Sequence, residues 1–332
     1  MYTYISKNND PMYNLALEEY FVTDRKFAKE NILFIFQNDN SIIVGRNQNV
    51  ASEVNLEIAN KDFVKIVRRN TGGGTVFHDL GNVNFSIIYP DHNNTAVSMF
   101  KNSLQPVIET LNKLGAPAEI RGKNDIVLNG KKISGNAMWK SGNRFLQHGT
   151  LLFNSNLDKI QKYLTGSKDK IKTKSVSSVK SNVTNINNEV SEKIDIENFK
   201  FKLLDQYLTK QEIKTIILDN QDQLNVEQIV KNKYSQNSWN LNKNSDFEFK
   251  FREYLENKGM VEIFLNINSN IITECKIYGD FLGFSGTKQL EEKMIGINFE
   301  HDELLTCLKK ADIKGIFGPS FEPEDLLKIL LN

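Results

Sequence analysis

Residues 125–153 read DIVLNGKKISGNAMWKSGNRFLQHGTLLF, and this stretch decides the fold. Its strand-like runs are separated by two turn dipeptides. Asn129-Gly130 is the dipeptide best suited to a two-residue type I′ hairpin, because both of its residues accept positive φ angles. A second hairpin is expected at Gly142-Asn143, before the run RFLQHGTLLF. The stretch therefore predicts neighbouring antiparallel strands.

Further strands and two long helices are predicted upstream of this stretch. Residues 10–23 form an amphipathic helix with an N-cap at Asp10 and a proline at its first position. Residues 95–114 carry an apolar stripe at helical spacing and end at Gly115. Short runs rich in Ile, Val and Phe predict strands; they are NILFIFQ (31–37), SIIVG (41–45), FVKIVRR (63–69) and NVNFSIIYP (82–90). Helices laid against a mainly antiparallel sheet predict an α+β fold rather than a doubly wound parallel one.

The chain divides into two predicted domains. A polar stretch at residues 240–246 precedes a tail with strands followed by helices near 286–295, 302–311 and 322–331. We predict a larger domain at 1–246 and a small α+β accessory domain at 247–332. Residues 166–193 are rich in Ser, Lys and Asn, and their composition predicts a flexible surface segment.

Charge and composition exclude several classes of protein. Lys and Arg number 42 against 41 Asp and Glu, so a formal net charge of +1 gives no electrostatic footprint for nucleic acid or an anionic membrane. The N-terminal residues MYTYISKNNDP lack the pattern of a signal or transit peptide. No stretch approaches the roughly 20 apolar residues of a membrane span. We expect a soluble protein of the cytoplasm.

Cysteine and histidine spacing argues against a metal site. The two cysteines, Cys275 in a predicted strand and Cys307 in a predicted helix, are interpreted as buried structural thiols. The four histidines are His78, His92, His148 and His301. They show none of the spacings typical of zinc sites, so we predict no protein-held metal centre.

The segment RRNTGGGTVFHDLGN, residues 68–82, is a candidate phosphate cradle. Three consecutive glycines let the backbone approach a ligand closely, with amide N–H groups free to face an anion. The spacing matches neither a Walker A loop nor a dinucleotide-binding fingerprint, since Phe77 stands where the third glycine of that fingerprint would be. From the residues alone, a glycine-rich turn without a ligand is an equally good interpretation.

Lys132 and two histidines are the other candidates for chemistry. In an alternating strand Lys132, Ser134 and Asn136 share one face while Ile133 points to the other. A lysine there can neutralise a phosphate and a carboxylate together, although a solvated lysine at the shoulder of a hairpin is the commoner case. His148 in an apolar strand is interpreted as a buried, hydrogen-bonded residue, and His78 as a residue that either holds the glycine loop or touches a nucleotide.

Taken together, these segments resemble the lipoate-protein ligase A family of the biotin and lipoate ligase superfamily. The resemblance covers most of residues 1–190 and extends more weakly through the tail. It rests on segments in this order: DPMYNLALEEYF (10–21), IIVGRNQN (42–49), RRNTGGGTVFHDLGN (68–82), GKNDIVLNGKKISGNA (122–137), HGTLLF (148–153) and SVSSVKSNVTNI (175–186). Lys180 stands where the family usually carries an arginine. The resemblance implies a catalytic domain of the biotin/lipoate ligase type with a small accessory domain.

The resemblance also implies roles for individual residues. Lys132 would contact both the ATP phosphate and the lipoyl carboxylate and carry the catalysis. ATP would be bound by Arg69, Gly74, Thr75, Val76, Phe77 and Lys132. Lipoate would be bound by Lys132, Arg46, Gly73 and Gly135, with Gly45 and Asn136 in the same wall. Gly72 and Gly73 would shape the loop, and Asn124 and Asp125 would lie near the nucleotide or its Mg²⁺. His78 and His148 are secondary candidates.

The implied reaction uses ATP, Mg²⁺ and lipoate to form lipoyl-AMP and then acylates a lysine of an acceptor protein. The implied acceptor is the E2 subunit of a 2-oxoacid dehydrogenase or the glycine-cleavage H protein, and the residues leave lipoate and octanoate equally possible as acyl groups. One alternative is an octanoyl or lipoyl transferase of the same fold. It needs a nucleophilic thiol, and residues 1–246 contain no cysteine. A non-catalytic protein that binds lipoyl carriers is the second alternative.

Overall fold

A computed structural model of the chain describes residues 1–91, 96–122, 124–165, 183–191, 193–208, 214–241 and 247–331. Its architecture is the predicted α+β one. The described strands are β1 (Tyr2–Ile5), β2 (Ile32–Phe36), β3 (Ser41–Val44), β4 (Lys65–Arg68), β5 (Val76–His78), β6 (Asn82–Pro90), β7 (Ala118–Arg121), β8 (Asp125–Leu128), β9 (Lys131–Ser141), β10 (Arg144–Leu152), β11 (Lys214–Thr215), β12 (Phe249–Leu255), β13 (Gly259–Asn268) and β14 (Ile271–Gly279).

Helices cover the sheets. The described α-helices are α1 (Pro11–Thr23), α2 (Val50–Glu53), α3 (Leu56–Lys61), α4 (Ala96–Lys113), α5 (Leu157–Tyr163), α6 (Ile186–Glu189), α7 (Ile196–Leu208), α8 (Asn220–Ile229), α9 (Asn237–Asn240), α10 (Lys288–Met294), α11 (His301–Lys309), α12 (Ile313–Phe317) and α13 (Pro323–Leu331). A 3₁₀ turn spans Arg25–Phe27 and a π-helix spans Val230–Tyr234. Among the described helices, none is both long enough and apolar enough to cross a membrane.

An eight-stranded sheet forms the centre of the larger part, in the order β11-β1-β2-β6-β10-β9-β8-β7. Every pair from β2 to β7 is antiparallel, as predicted. Strand β1 pairs in parallel with both β2 and β11. The sequence did not predict these parallel pairs, because β1 is short and its partner β11 lies more than two hundred residues away.

The two predicted turns shape the cleft side of this sheet. Asn129 and Gly130 have φ angles of 49° and 75°, which fits the predicted type I′ turn between β8 and β9. Strands β9 and β10 form the second predicted hairpin, with Gly142 at a φ of 54°. Between β8 and β9 the register shifts at Ile126/Val127, which leaves Ile133 as the extra residue of a β-bulge.

Both faces of the large sheet are buried. Leu33 and Ile35 point to a core shared with α4 and α7, whereas Ile32 and Phe34 point to a core shared with α1 and α8. The predicted helix at 10–23 is α1, and the Asp10 side chain accepts a hydrogen bond from the Met12 amide as the predicted cap. Burial on both faces explains why the strands are continuous apolar runs.

The prediction of a flexible surface segment at residues 166–193 is wrong for residues 183–191. Ile186 is fully buried and joins the core of the large sheet, and the Thr184 amide donates to the Lys132 carbonyl at 3.0 Å. Residues 183–191 are therefore packed rather than a flexible surface segment. The prediction was made from the average composition of the whole stretch, which is rich in Ser, Lys and Asn, and it therefore missed the buried residue Ile186. Residues 166–182 and 192 lie outside the described residues, as do His92 and Lys180.

The C-terminal part has its own sheet and core. Strands β12, β13 and β14 form an antiparallel sheet, and helices α10 to α13 pack with it around buried residues such as Ile263, Leu304 and Phe317. The three predicted tail helices correspond to α10, α11 and α13, while α12 was not predicted. The proposed boundary at 246 falls in residues 242–246, outside the described residues, and stays a prediction.

The two parts are in contact along the end of β14 and the segment that follows it. The Gly279 amide donates to the Asn47 carbonyl at 2.8 Å, and the Gly73 amide donates to the Phe281 carbonyl at 3.2 Å. The Lys140 amide donates to the Phe284 carbonyl at 3.2 Å. Backbone contacts of this kind bring the C-terminal part directly onto the glycine loop.

Candidate active site

A cleft of about 720 Å³, part of it open to solvent, lies between α1, the glycine loop, β9 and β10. One set of wall residues is apolar: Leu15, Phe36, Ile43, Val76, Ala137 and Leu282. A second set is polar: Arg69, Thr75, His78, Asn84, Asn124, Lys132, Asn136, His148 and Thr150. Four glycines, Gly73, Gly74, Gly135 and Gly149, complete the wall. This lining suits a molecule that has an apolar part and an anionic group.

The glycine loop needs glycine at its centre. Gly73 has a φ angle of 85°, in the left-handed region where a side chain is strained. The loop is fixed to the preceding turn through Gln48, whose Oε1 accepts hydrogen bonds from the Thr75 hydroxyl at 2.7 Å and the Gly45 amide at 3.2 Å. Hydrogen bonds within the protein therefore hold the loop against this turn.

Arg69 is buried inside this loop. Its Nη2 donates to the carbonyls of Gly72 and Gly74, both at 2.7 Å, and its Nη1 donates to the Ile43 carbonyl at 3.0 Å. Burial lowers the pKa of Arg69 to about 10, which leaves the guanidinium charged at neutral pH. Arg69 thus both shapes the loop and places a positive charge in the cleft wall.

Lys132 supplies the second cation. Its Nζ lies 2.7 Å from Oδ1 of Asp125, and about a third of each side chain is exposed. Gly135 leaves room for the lysine, since a Cβ at that position would lie 3.2 Å from Nζ.

Ile133, the bulged residue, is fully buried in the core. The prediction that Lys132 and Ser134 share one face is wrong, because the bulge breaks the alternation: Lys132 pairs with Val127 and Ser134 with Ile126, which point to opposite faces. A bulge re-aims the neighbouring side chain, and here it delivers Lys132 to the cleft.

Asn124 and Asn136 clamp the wall next to Lys132. The Asn124 side chain donates to the Asn136 carbonyl at 2.8 Å, and the Asn136 side chain donates to the Asn124 carbonyl at 2.9 Å. This reciprocal pair ties the start of β8 to β9. It keeps Asp125 within reach of Lys132.

The two histidines are held in different ways. His78 lies in the wall with its Nδ1 3.1 Å from the Asn38 side-chain nitrogen, and burial followed by the nearby Arg69 lowers the pKa of His78 to about 3. His148 contacts Glu18 through Nδ1 at 2.9 Å and Thr71 through Nε2 at 2.7 Å. It is hydrogen-bonded, as predicted, but it lines the cleft and is partly exposed rather than buried.

Most of the predicted site residues meet in the cleft. The ones that line it are Arg69, Gly73, Gly74, Thr75, Val76, His78, Asn124, Lys132, Gly135 and His148. Asp125 is not in the wall but pairs with Lys132. The functional roles of these residues stay predictions.

Three further predicted residues do not line the cleft. The Phe77 ring packs against Tyr163, with 5.4 Å between ring centroids, because it points to the opposite face of β5 from its neighbours. Arg46 lies against Gly286 of the C-terminal part, where a Cβ would come within 2.6 Å of its guanidinium. At Gly72 a Cβ would lie 2.6 Å from the Phe281 carbonyl oxygen. The absence of a side chain at Gly72 therefore allows the C-terminal part to pack closely against the loop.

Several wall residues were not predicted. Leu15, Asn84, Thr150 and Leu282 line the cleft, and the buried carboxylate of Glu18 contacts His148 behind it. Glu18 carries a usable signal, since a charged residue among the apolar positions of a predicted helix requires a partner when buried. Leu282 carries none, because nothing local connects the tail to the glycine loop.

Each of the two parts of the chain matches the model of a known protein family. Residues 10–208 match the lipoyl protein ligase A/B catalytic domain, and residues 244–330 match the bacterial lipoate protein ligase C-terminus. The chain is similar to lipoate–protein ligase 1 of Staphylococcus aureus, with 36% identity over 98% of this chain and 99% of that protein.

Two solved structures share the fold. The crystal structure of P. falciparum LipL1 in complex with lipoate has a TM-score of 0.81 at 24% identity and covers 100% of this chain and 99% of that one. The crystal structure of lipoate-protein ligase A bound with ATP has a TM-score of 0.62 at 25% identity and covers 72% of this chain and 96% of that one.

Proposed function

The chain belongs to the lipoate-protein ligase family, and on this premise we propose that its cleft carries out both half-reactions of that activity. The enzyme is an ATP-dependent lipoate-protein ligase. It activates lipoate as lipoyl-AMP with release of pyrophosphate, and it then transfers the lipoyl group to a lysine of an acceptor protein.

The observation that supports this use of the cleft is the placement of two cations beside an apolar wall. Arg69 and Lys132 both line a cleft whose other walls include Leu15, Phe36 and Ile43. The apolar wall suits the alkyl chain and dithiolane ring of lipoate, while the cations suit its carboxylate and the phosphates of ATP. We assign the glycine loop to the nucleotide and the β9 wall around Gly135 to the acyl group.

In the first half-reaction, a carboxylate oxygen of lipoate attacks the α-phosphorus of ATP and the bond to pyrophosphate breaks. Negative charge gathers on the α-phosphate during this step. Lys132 and the loop amides of Gly74 and Thr75 meet that charge, and they are already held in place by the protein. We assign Asp125 to holding the Lys132 ammonium at the wall until the substrate carboxylate replaces it.

A magnesium ion fits the site only as a partner of the substrate phosphates. Among the described residues, no group of three or more His, Cys, Asp or Glu side chains could hold a metal. Asp125 and Asn124 offer oxygen ligands beside Lys132, and Mg²⁺ commonly binds through one or two carboxylates together with phosphates and water. We assign these two residues to it; when bound, it would neutralise charge on the phosphates.

In the second half-reaction, the amine of the acceptor lysine attacks the carbonyl carbon of the mixed anhydride. The bond to the phosphate oxygen breaks, AMP leaves and the amine loses a proton. Lys132 polarises the anhydride from its position on the wall. We propose the lipoyl domain of an E2 subunit or the H protein as acceptor, and we expect the enzyme to work in the cytoplasm.

A transferase that works through a thioester is disfavoured by the chemistry of the thiols. Cys275 is buried, and burial raises the pKa of its thiol well above the ordinary value. Burial also raises the pKa of Cys307, which donates to the Lys293 carbonyl. Neither cysteine is among the residues that line the cleft. A nucleophilic thiol needs the opposite conditions, an exposed site and a lowered pKa.

The role of Lys132 is tested by comparing two neighbouring lysines. Lys132→Ala is expected to lower lipoyl-AMP formation by roughly 10²- to 10³-fold, because an electrostatic donor to the transition state is lost. Lys131→Ala is the matched control, since its ammonium is half-exposed and lies 4.0 Å from Glu189 rather than in the cleft. Pyrophosphate release with lipoate, ATP and Mg²⁺ measures both variants.

The outcomes separate the alternatives. A wild-type protein that releases no pyrophosphate with ATP and lipoate would favour the non-catalytic carrier-binding protein. Normal lipoyl-AMP formation by Lys132→Ala would refute the catalytic role of Lys132. It would not contradict the proposal that the protein is a ligase. Mass spectrometry of E2 lipoyl domain and H protein, each incubated with the wild-type enzyme, identifies the acceptor.

A further inference from the structure

A chain of hydrogen bonds runs from α1 through the cleft wall to the glycine loop. Oε1 of Glu18 accepts from the Ser86 hydroxyl at 2.6 Å and contacts Nδ1 of His148 at 2.9 Å. Nε2 of His148 lies 2.7 Å from the Thr71 hydroxyl, and that hydroxyl lies 3.0 Å from Nε of Arg69. Four segments that are distant in sequence are thus connected by one continuous series of hydrogen bonds.

The hydrogens of this chain are assigned so that each of them has an acceptor. Nε of a guanidinium always donates, so the Thr71 oxygen accepts from Arg69. When the hydrogen of the Thr71 hydroxyl is directed to Nε2 of His148, every hydrogen of this chain has an acceptor among the described side chains. In this assignment Nε2 carries no hydrogen, and Nδ1–H donates to the Glu18 carboxylate.

The chain is electrostatically consistent from end to end. Every N–H and O–H dipole points from the Arg69 cation towards the Glu18 anion, so each bond strengthens its neighbours. Glu18 and Thr71 are both buried, which shields these bonds from competing water. A reversed tautomer of His148 would leave the Thr71 hydroxyl without an acceptor and the Glu18 carboxylate without one of its donors.

The far end of the chain is the glycine loop itself. Arg69 bonds the carbonyls of Gly72 and Gly74, so the orientation of its guanidinium sets the course of the loop. His148 and Arg69 both line the cleft, so two members of the chain lie beside the space assigned to the substrates. The chain therefore joins the substrate-facing wall to the loop that is assigned to the nucleotide.

We propose that Glu18, His148 and Thr71 are positioning residues, which hold Arg69 and the glycine loop in the geometry needed for adenylation. This proposal rests on the proposed ligase function and adds to it. The residues act through Arg69 and take no covalent part in the reaction. Their effect should fall on the use of ATP.

The test removes the central hydroxyl while preserving shape. Thr71→Val is expected to lower kcat/KM for ATP by about tenfold in lipoate-dependent ATP–pyrophosphate exchange, because Arg69 loses its Nε acceptor. Thr71→Ser restores the hydroxyl and is expected to recover most of that loss. Thr110→Val is the matched control: this buried threonine in α4 bonds the Pro106 carbonyl and lies outside the cleft wall.

Thermal unfolding of the three variants separates positioning from stability. We expect Thr71→Val and Thr110→Val to be destabilised alike and only Thr71→Val to lose activity with ATP. Wild-type kinetics in Thr71→Val would overturn the proposal. So would an equal loss of activity in Thr110→Val, because the effect would then follow stability alone.

A spectroscopic readout tests the chain without catalysis. In ¹⁵N NMR of the imidazole, His148 of the wild-type protein is expected to carry a proton on Nδ1 and none on Nε2. A ring protonated on Nε2 would overturn the assigned direction and with it the proposal. This measurement also stands apart from the proposed function, which fails only if the wild-type enzyme forms no lipoyl-AMP.

Discussion

His78 lies in the cleft wall next to Arg69, and its pKa of about 3 makes it a source of acid sensitivity. In the unfolded chain a histidine has a pKa near 6.5, so it gains a proton as the pH falls below that value while the native ring stays neutral. As the pH is lowered from about 6.5 to about 3, the free energy of unfolding therefore decreases. His78 contributes at most about 1.4 kcal/mol per pH unit to this decrease.

Replacing this residue tests the sign of that effect. His78→Gln is expected to weaken the loss of stability on acidification, as measured by urea unfolding at a series of pH values. His301→Gln is the control, because His301 is exposed beside Asp302. An equally steep pH dependence in His78→Gln and the wild-type protein would contradict the burial of a neutral His78.

At the scale of elements, α1 is the helix that serves the site. It carries Leu15 to the cleft wall and Glu18 to His148, and it begins at the Asp10 cap. Asp10→Ala removes the acceptor of the Met12 amide, so we expect unfolding to become easier by about 1 kcal/mol. Chemical denaturation measures this change.

A second substitution separates the cap from an ion pair. Oδ2 of Asp10 lies 2.8 Å from Nζ of Lys65, and both side chains are well exposed. Asp10→Asn keeps the capping oxygen and removes the charge, so it is expected to stay close to the wild-type stability, since exposed pairs contribute little. If Asn and Ala were equally destabilising, the ion pair rather than the cap would hold the start of α1.

At the scale of the whole molecule, the C-terminal part completes the cleft. Leu282 is the only wall residue from that part among the described residues, and its side chain would lie 3.2 Å from a Cβ at Gly73. Leu282→Ala opens this wall, and we expect KM for lipoate to rise by roughly threefold to tenfold as apolar contact is lost. Steady-state adenylation kinetics measure the change.

The control for this prediction lies in the same part of the molecule. Ile295→Ala removes an apolar side chain that is 47% exposed and does not line the cleft. It is expected to leave KM for lipoate unchanged. A normal KM in Leu282→Ala would mean that the C-terminal part covers the cleft without contributing to substrate binding.

The sequence by itself determined the local elements and the order of the site segments. Asn129-Gly130 specified its turn, and Asp10 and Pro11 specified the start of α1, because backbone angles and caps depend on adjacent residues. The glycine loop and Lys132 predicted an adenylating site through their order along the chain. These inferences need only chemistry that neighbouring residues carry.

Only the tertiary structure decided which distant side chains meet. Glu18 and His148 are 130 residues apart, and Leu282 reaches Gly73 from the C-terminal part. It also decided that Phe77 faces the core and that the bulge at Ile133 turns Lys132 into the cleft. Such contacts depend on strand register and on the packing of one part against the other, and no local pattern encodes either.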